Sequence, residues 1–161
     1  MAIPKKILNF LEKNKIKYEI LKHRTVYTAF DKAKTLKVPE KMVGKTLILK
    51  TDGKLAIALI GANKNLDLKK FKKVAHPLCG YPKKIDFASE KLIKNKFKGV
   101  KVGAIPPFGK LWDLPVFIDS PLIKEKEIIL PAGDYNFSIK IKKGEIKKLD
   151  FIKGNFGRAR K

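Results

Sequence analysis

The chain of 161 residues holds a single cysteine, Cys79, so it has no intramolecular disulfide and no cysteine cluster for zinc. That suits a reducing cytosol, and Cys79 reads as an inert, partly buried thiol. Histidine is nearly as scarce. His23 and His76 are far apart and neither stands in an HExxH pattern, so no metal and no cofactor are expected. His76, followed by Pro77, reads as a helix-end or loop residue. There is no GxSxG elbow, no Walker loop and no GxGxxG, and a dyad of Cys79 with either histidine has no support in the pattern. The opening MAIPKKILNFLEKNK is broken by lysines, and no later apolar run reaches the length a membrane span needs. The expectation is a cytoplasmic protein without a membrane partner.

Negative charge is the other shortage: 15 Asp and Glu stand against 38 Lys and Arg, a formal net charge of +23. An excess of this size repels itself and favours polyanions, whose condensed counterions are released on binding. Nucleic acid is the leading partner class, the alternative being a solvated lysine-rich surface. Only Arg24, Arg158 and Arg160 carry the planar guanidinium fork, so attraction to a phosphate backbone is better supported than reading of bases. Hydrophobic residues make up 44% and aromatics 9% of the chain, a globular composition for one domain.

Periodicity predicts interleaved helices and strands. Ile7, Leu8 and Leu11 form the buried stripe of a helix over 4–14 behind Pro4. A short extended piece, KYEIL, precedes a helix over 28–37 that opens on Thr28 with Asp31 three places on and is closed by Pro39. MVGKTLILK and LAIALI form a hairpin around Asp52-Gly53, which supplies positive φ. Asp67 caps a helix burying Leu68, Phe71, Val74 and Ala75, and Ser89 caps another holding Leu92 and Ile93. After residue 98, PVFID, EIIL, YNFSIKI and KKLDFI read as short strands. The domain is placed at 1–152, with 153–161, GNFGRARK after Lys153, as a basic tail that frays.

Two stretches carry more than fold. Strand alternation sets Val43, Lys45, Leu47 and Leu49 on one face, which threads a single ammonium into an apolar row. Such a lysine is either a snorkeller with its head in water or a functional cation beside a cleft. In KVGAIPPFGKLWDLPVFID, Gly103 and Gly109 bracket Ala104, Ile105, Pro106, Pro107 and Phe108. The glycines allow close backbone approach and the prolines stiffen the span, which describes a preformed binding lip or a rigid turn.

FLEKNKIKYEI with His23, then VGKTLILK, then VGAIPPFGKLWDLPVFIDSP stand in the order and spacing of the YbaK/ProX family of aminoacyl-tRNA deacylases, which the chain resembles from about Ile7 to Ile141. That family includes the editing insertion domain of bacterial prolyl-tRNA synthetases. The resemblance implies an α+β single domain, a mixed β-barrel-like sheet flanked by helices, acting in trans on mischarged tRNA and hydrolysing its ester. The amino acid removed would be small, such as alanine or cysteine, and the tRNA a proline tRNA; an aminoacyl-tRNA synthetase is a further implied partner. It assigns the catalytic role to Lys45 and the walls of the aminoacyl pocket to Gly103, Ala104, Ile105, Pro106 and Pro107, with Gly109, and Asp119 stands where the family often has an acid. A non-catalytic module of the same fold, holding tRNA or a synthetase, is the alternative.

Overall fold

The hairpin expected at 42–60 is the centre of the molecule. The computed structural model describes residues 3–79 and 82–160, with 76–79 described by their backbone alone. In chain order these residues form α1 (Lys5–Lys13), β1 (Glu19–Lys22), α2 (Ala29–Leu36), β2 (Gly44–Thr51), β3 (Lys54–Gly61), β4 (Lys64–Leu66) and α3 (Leu68–Cys79). They continue as β5 (Ile85–Phe87), α4 (Glu90–Lys96), β6 (Val116–Asp119), α5 (Ser120–Ile123), β7 (Glu127–Pro131), β8 (Phe137–Lys142), α6 (Lys143–Ile146), β9 (Ile152–Gly154) and β10 (Gly157–Ala159). His76 falls within α3 near its end. The expected burial of the Cys79 thiol lies outside the described residues.

The strands β2 and β3 pair from Gly44↔Gly61 to Thr51↔Lys54, and Asp52 and Gly53 at the turn have φ of 49° and 88°. Two successive positive φ values match the right-handed twist of the flanking strands. Around this hairpin a mixed five-stranded sheet runs in the order β5-β2-β3-β6-β9, with β6 parallel to β3 and β9 parallel to β6. A three-stranded antiparallel sheet, β1-β8-β7, meets it through a parallel bridge between Val43 and Ile129, and β10 pairs with β4 in a two-stranded ribbon. The α+β domain with a mixed sheet flanked by helices is as expected, and among the described residues its strands form three open sheets without closing into a barrel. The large sheet ends on β5 and β9, edge strands of three residues each, which are too short to carry a ladder onward.

Both faces of the sheet are covered, which explains why LAIALI is apolar without alternation. On one face Leu49, Ala56, Ala58 and Ile60 pack with Phe71 and Ala75 of α3, together with Phe117 and Phe156. On the other, Leu59 joins Ile7 and Leu11 of α1 and the inner residues of β7 and β8, while Ile48 and Ile57 meet Phe97 and Trp112. The caps form as expected. Thr28 Oγ1 accepts from the Asp31 N–H at 3.1 Å, Asp67 from Lys70 at 3.1 Å and Ser89 from Leu92 at 3.2 Å.

Two further expectations are revised. KKLDFI is not a strand: Lys147–Leu149 is a 3-10 turn, Asp150 turns through the left-handed region at φ 54°, and only Ile152 onward is extended. Leu149 is buried from that turn, so apolar spacing alone could not separate turn from strand. The tail does not fray either. Phe156 is fully buried, and the Asp119 carboxylate accepts the backbone N–H groups of Phe156 at 2.9 Å and Gly157 at 3.2 Å. Ser120 Oγ adds a hydrogen bond to Gly154 O at 2.9 Å. These bonds lay the basic segment along β4.

Candidate functional site

A cavity of about 310 Å³ opens where the start of β2, the helix α2, the loop at Gly103 and the end of β7 converge. Each wall follows from local sequence. Gly44 admits the packing of Leu59, Leu122 and Leu130 behind β2, since an added Cβ would lie 2.9 Å from Leu59. Lys45 then stands between two apolar patches, Val43 with Ala33, Ala62 and Ile129 on one side and Leu47 with Leu49 on the other. It lines the cavity together with Gly44 and Thr46. The strand parity read from the sequence holds.

Lys45 is half-buried, and among the described residues no hydrogen bond or ion pair engages its ammonium. Burial first, and the nearby Arg160 guanidinium second, hold its pKa below the usual lysine range, opposed by Glu40. Desolvation and a like charge both disfavour the cationic form, so an anion or polarised carbonyl brought beside it would stabilise it.

The GxxxP loop divides in two. Gly103 is exposed at φ 86° and, with Ala104, walls the cavity. Its position is stapled by Gly133 N–H to Ala104 O at 2.7 Å and by Tyr135 O–H to Val102 O at 2.6 Å. Ile105, Pro106 and Pro107 turn inward and are buried, Ile105 packing with Trp112 and Val116. Gly109 lies farther on, against the Leu114 carbonyl where no Cβ would fit. Gly103 and Ala104 thus stand at the cavity, and Ile105, Pro106 and Pro107 form the rigid turn that anchors them.

Asp119 does not line the cavity. It is 1% exposed and holds the tail, as described above. Its connection to the site is indirect, because the strand it anchors, β10, leads straight into Arg160. That guanidinium reaches the cavity, donates to Ala62 O at 3.0 Å, pairs with Glu40 at 3.5 Å and lies 4.8 Å over the Phe30 ring.

Four contributors escaped sequence reading: Lys32, Arg160, Asp134 and Tyr27. Lys32, on α2, lines the cavity at 8% exposure, and burial lowers its pKa to about 8. Asp134 is buried at the wall, 3.8 Å from Lys101 and accepting the Asn136 N–H at 3.1 Å. Tyr27 is exposed at the rim and meets Tyr135 edge to face at 4.8 Å. The one sequence signal was the capped start of α2 at Thr28, which fixes the direction of that wall. His23 is near but does not line the cavity. Its ring lies between Arg24 O at 2.8 Å and Ser138 Oγ at 2.9 Å, and burial lowers its pKa against the effect of the Arg24 carbonyl.

The aminoacyl-tRNA editing domain family matches residues 23–149. The crystal structure of a hypothetical protein superimposes with a TM-score of 0.83 at 20% identity, covering 95% of this chain and 99% of that one. A candidate trans-editing enzyme for prolyl-tRNA synthetase gives 0.77 at 20% identity, covering 96% of each chain. A candidate signal-transduction protein from Marinobacter aquaeolei VT8 gives 0.69 at 14% identity, with 97% of this chain on 31% of that one. No curated protein sequence matches the chain. At these identities the likenesses establish the fold, and one fold serves proteins described in different ways.

Proposed function

Since the chain belongs to the aminoacyl-tRNA editing domain family, we propose that its cavity receives the 3′ end of a mischarged tRNA and hydrolyses the aminoacyl ester, with Lys45 stabilising the oxyanion. The observation that carries this reading is a half-buried ammonium at the cavity wall without a counter-ion of its own. A cation in a poorly solvated site acts through a low effective dielectric, so it is worth more to a developing oxyanion than a surface lysine would be.

The chemistry is simple to balance. Water oxygen adds to the ester carbonyl, negative charge collects on the carbonyl oxygen beside Lys45, and the bond to the ribose oxygen then breaks. The water proton passes to the departing ribose hydroxyl, leaving free amino acid and uncharged tRNA. If a neighbouring ribose hydroxyl attacks first, the acyl group moves to that oxygen and water must still add to the new ester before the amino acid is released.

The other walls suit the remaining parts of the substrate. Gly103 and Ala104 offer backbone at close approach, and Tyr27 offers an aromatic face at the rim for the terminal base. Arg160 and the surplus lysines of the surface favour the phosphates. A deacylation assay against tRNAs carrying wrong amino acids tests the reading. Release of amino acid carrying oxygen from labelled water is the expected result when water attacks. Tight tRNA binding with no ester cleaved at high protein concentration would instead identify a binding module.

A further inference from the structure

We propose that Lys32 reads the side chain of the amino acid being removed, so that this site prefers aminoacyl esters whose side chain ends in a carboxylate. The inference rests on the deacylase reading above and deepens it by naming the substrate class.

Lys32 is the most buried cation of the cavity wall, at 8% exposure. The acids nearby are already engaged. Glu40 pairs with Arg160, and Asp134 is taken by Lys101 and the Asn136 N–H. The groups acting on the Lys32 neighbourhood from β1 and its following turn include His23, which is itself made less basic by Lys32. Lys45 and Arg160 add positive charge to the same cavity. Among the described residues no hydrogen bond or ion pair satisfies the Lys32 ammonium.

A buried ammonium without a partner is costly, and that cost is recovered when a ligand supplies the missing negative charge. An alanyl or other apolar side chain would leave it unpaired, and an amide would give it one neutral acceptor. A carboxylate supplies both the charge and the acceptors, and a charge-assisted bond is roughly twice as strong as a neutral one. Burial alone lowers the pKa of Lys32 to about 8, and a carboxylate placed beside it would restore the charged form.

Depth separates this role from phosphate binding. Arg160, with its side chain 37% exposed, and Lys45, half-buried, are the more open cations, whereas Lys32 is the closed one. A tRNA phosphate remains attached to a bulky chain at the mouth. The amino-acid side chain is the part of the substrate free to reach the inner wall.

The test charges one tRNA with aspartate, asparagine or alanine and compares kcat/KM for the wild-type protein and Lys32→Met. The expected wild-type preference is about 10²-fold for the aspartyl over the asparaginyl ester, the upper scale of one hydrogen bond to a charged group. In Lys32→Met the ratio should fall to about one. A wild-type ratio near one, or a ratio unchanged in Lys32→Met, overturns the proposal. Binding of stable 3′-aspartylamido- and 3′-asparaginylamido-adenosine separates it from the deacylase reading. If no ester is cleaved but the aspartyl amide binds more tightly and loses that advantage in Lys32→Met, the role of Lys32 stands and the hydrolytic role fails. Equal binding of the two amides overturns the role of Lys32.

Discussion

The two lysine-bearing walls of the cavity are built differently and were unequally visible. On β2, Lys45 shares its face with Val43, Leu47 and Leu49, and a period of two makes the one charged position of that face stand out. On α2, Lys32 sits in AFDKAKTL beside a second lysine, where helical spacing makes both look like solvated face. Yet Lys32 is the more deeply buried of the two. A strand advertises an exception to its pattern; a short lysine-rich helix hides one.

Replacing the strand lysine should have the largest effect. Lys45→Arg should lower kcat by about 10²-fold, because a planar fork cannot occupy the place of a compact ammonium and the loss resembles that of one oxyanion donor. Single-turnover rates would sharpen the contrast between the walls if the matching Lys32→Arg change alters substrate choice more than rate.

The next effect concerns the tail that completes the cavity. Asp119→Ala would leave the buried N–H groups of Phe156 and Gly157 without acceptors, at about 1–3 kcal/mol each. The melting temperature should fall, and protease should cut after residue 152 before the rest of the domain unfolds. Uniform protection of the tail in this variant would show that the buried Phe156 ring alone holds it.

Lys32→Met should stabilise the protein at neutral pH. The folded pKa of Lys32 is about 8, below its ordinary 10.5, so the unfolded chain binds more protons between those values and stability rises with pH across that window. The variant should gain on the order of 2–3 kcal/mol at pH 7, and the gain should vanish above about pH 10.5. Denaturant melts at the two pH values check this. Parallel curves at both pH values would mean that the ammonium is well solvated.

The smallest effect should come from salt on any one contact. Each phosphate neutralised contributes a log–log slope of about −0.7 to −0.9, so two contacts cost roughly tenfold in tRNA affinity from 50 to 200 mM salt. Filter binding or fluorescence titration would measure it. A flat profile would return the net charge of +23 to a property of the solvated surface.

The hairpin, the caps and the order of elements were legible because each has a local cause: Asp52-Gly53 at positive φ, Thr28 and Ser89 on orphaned N–H groups, alternating apolar residues in β8. Lys45 and Gly103 were legible in the same way, as local exceptions. The rest of the site is assembled from afar. Arg160 arrives through Asp119, Phe156 and β10, and Asp134 is placed by the stapling of the Gly103 loop to Gly133. KGNFGRARK held one clue, an aromatic between two glycines, but nothing local says where that ring will be buried.

Single-turnover deacylation by Lys45→Ala, corrected for the folded fraction by thermal melting, tests the central claim most directly. The account predicts a rate lower by about 10²–10³-fold, with tRNA affinity nearly unchanged and a melting temperature held or raised as a poorly solvated charge is removed. A variant that melts much earlier yet cleaves the ester at the wild-type rate would contradict it, and Lys45 would then be a packing residue with its head in solvent.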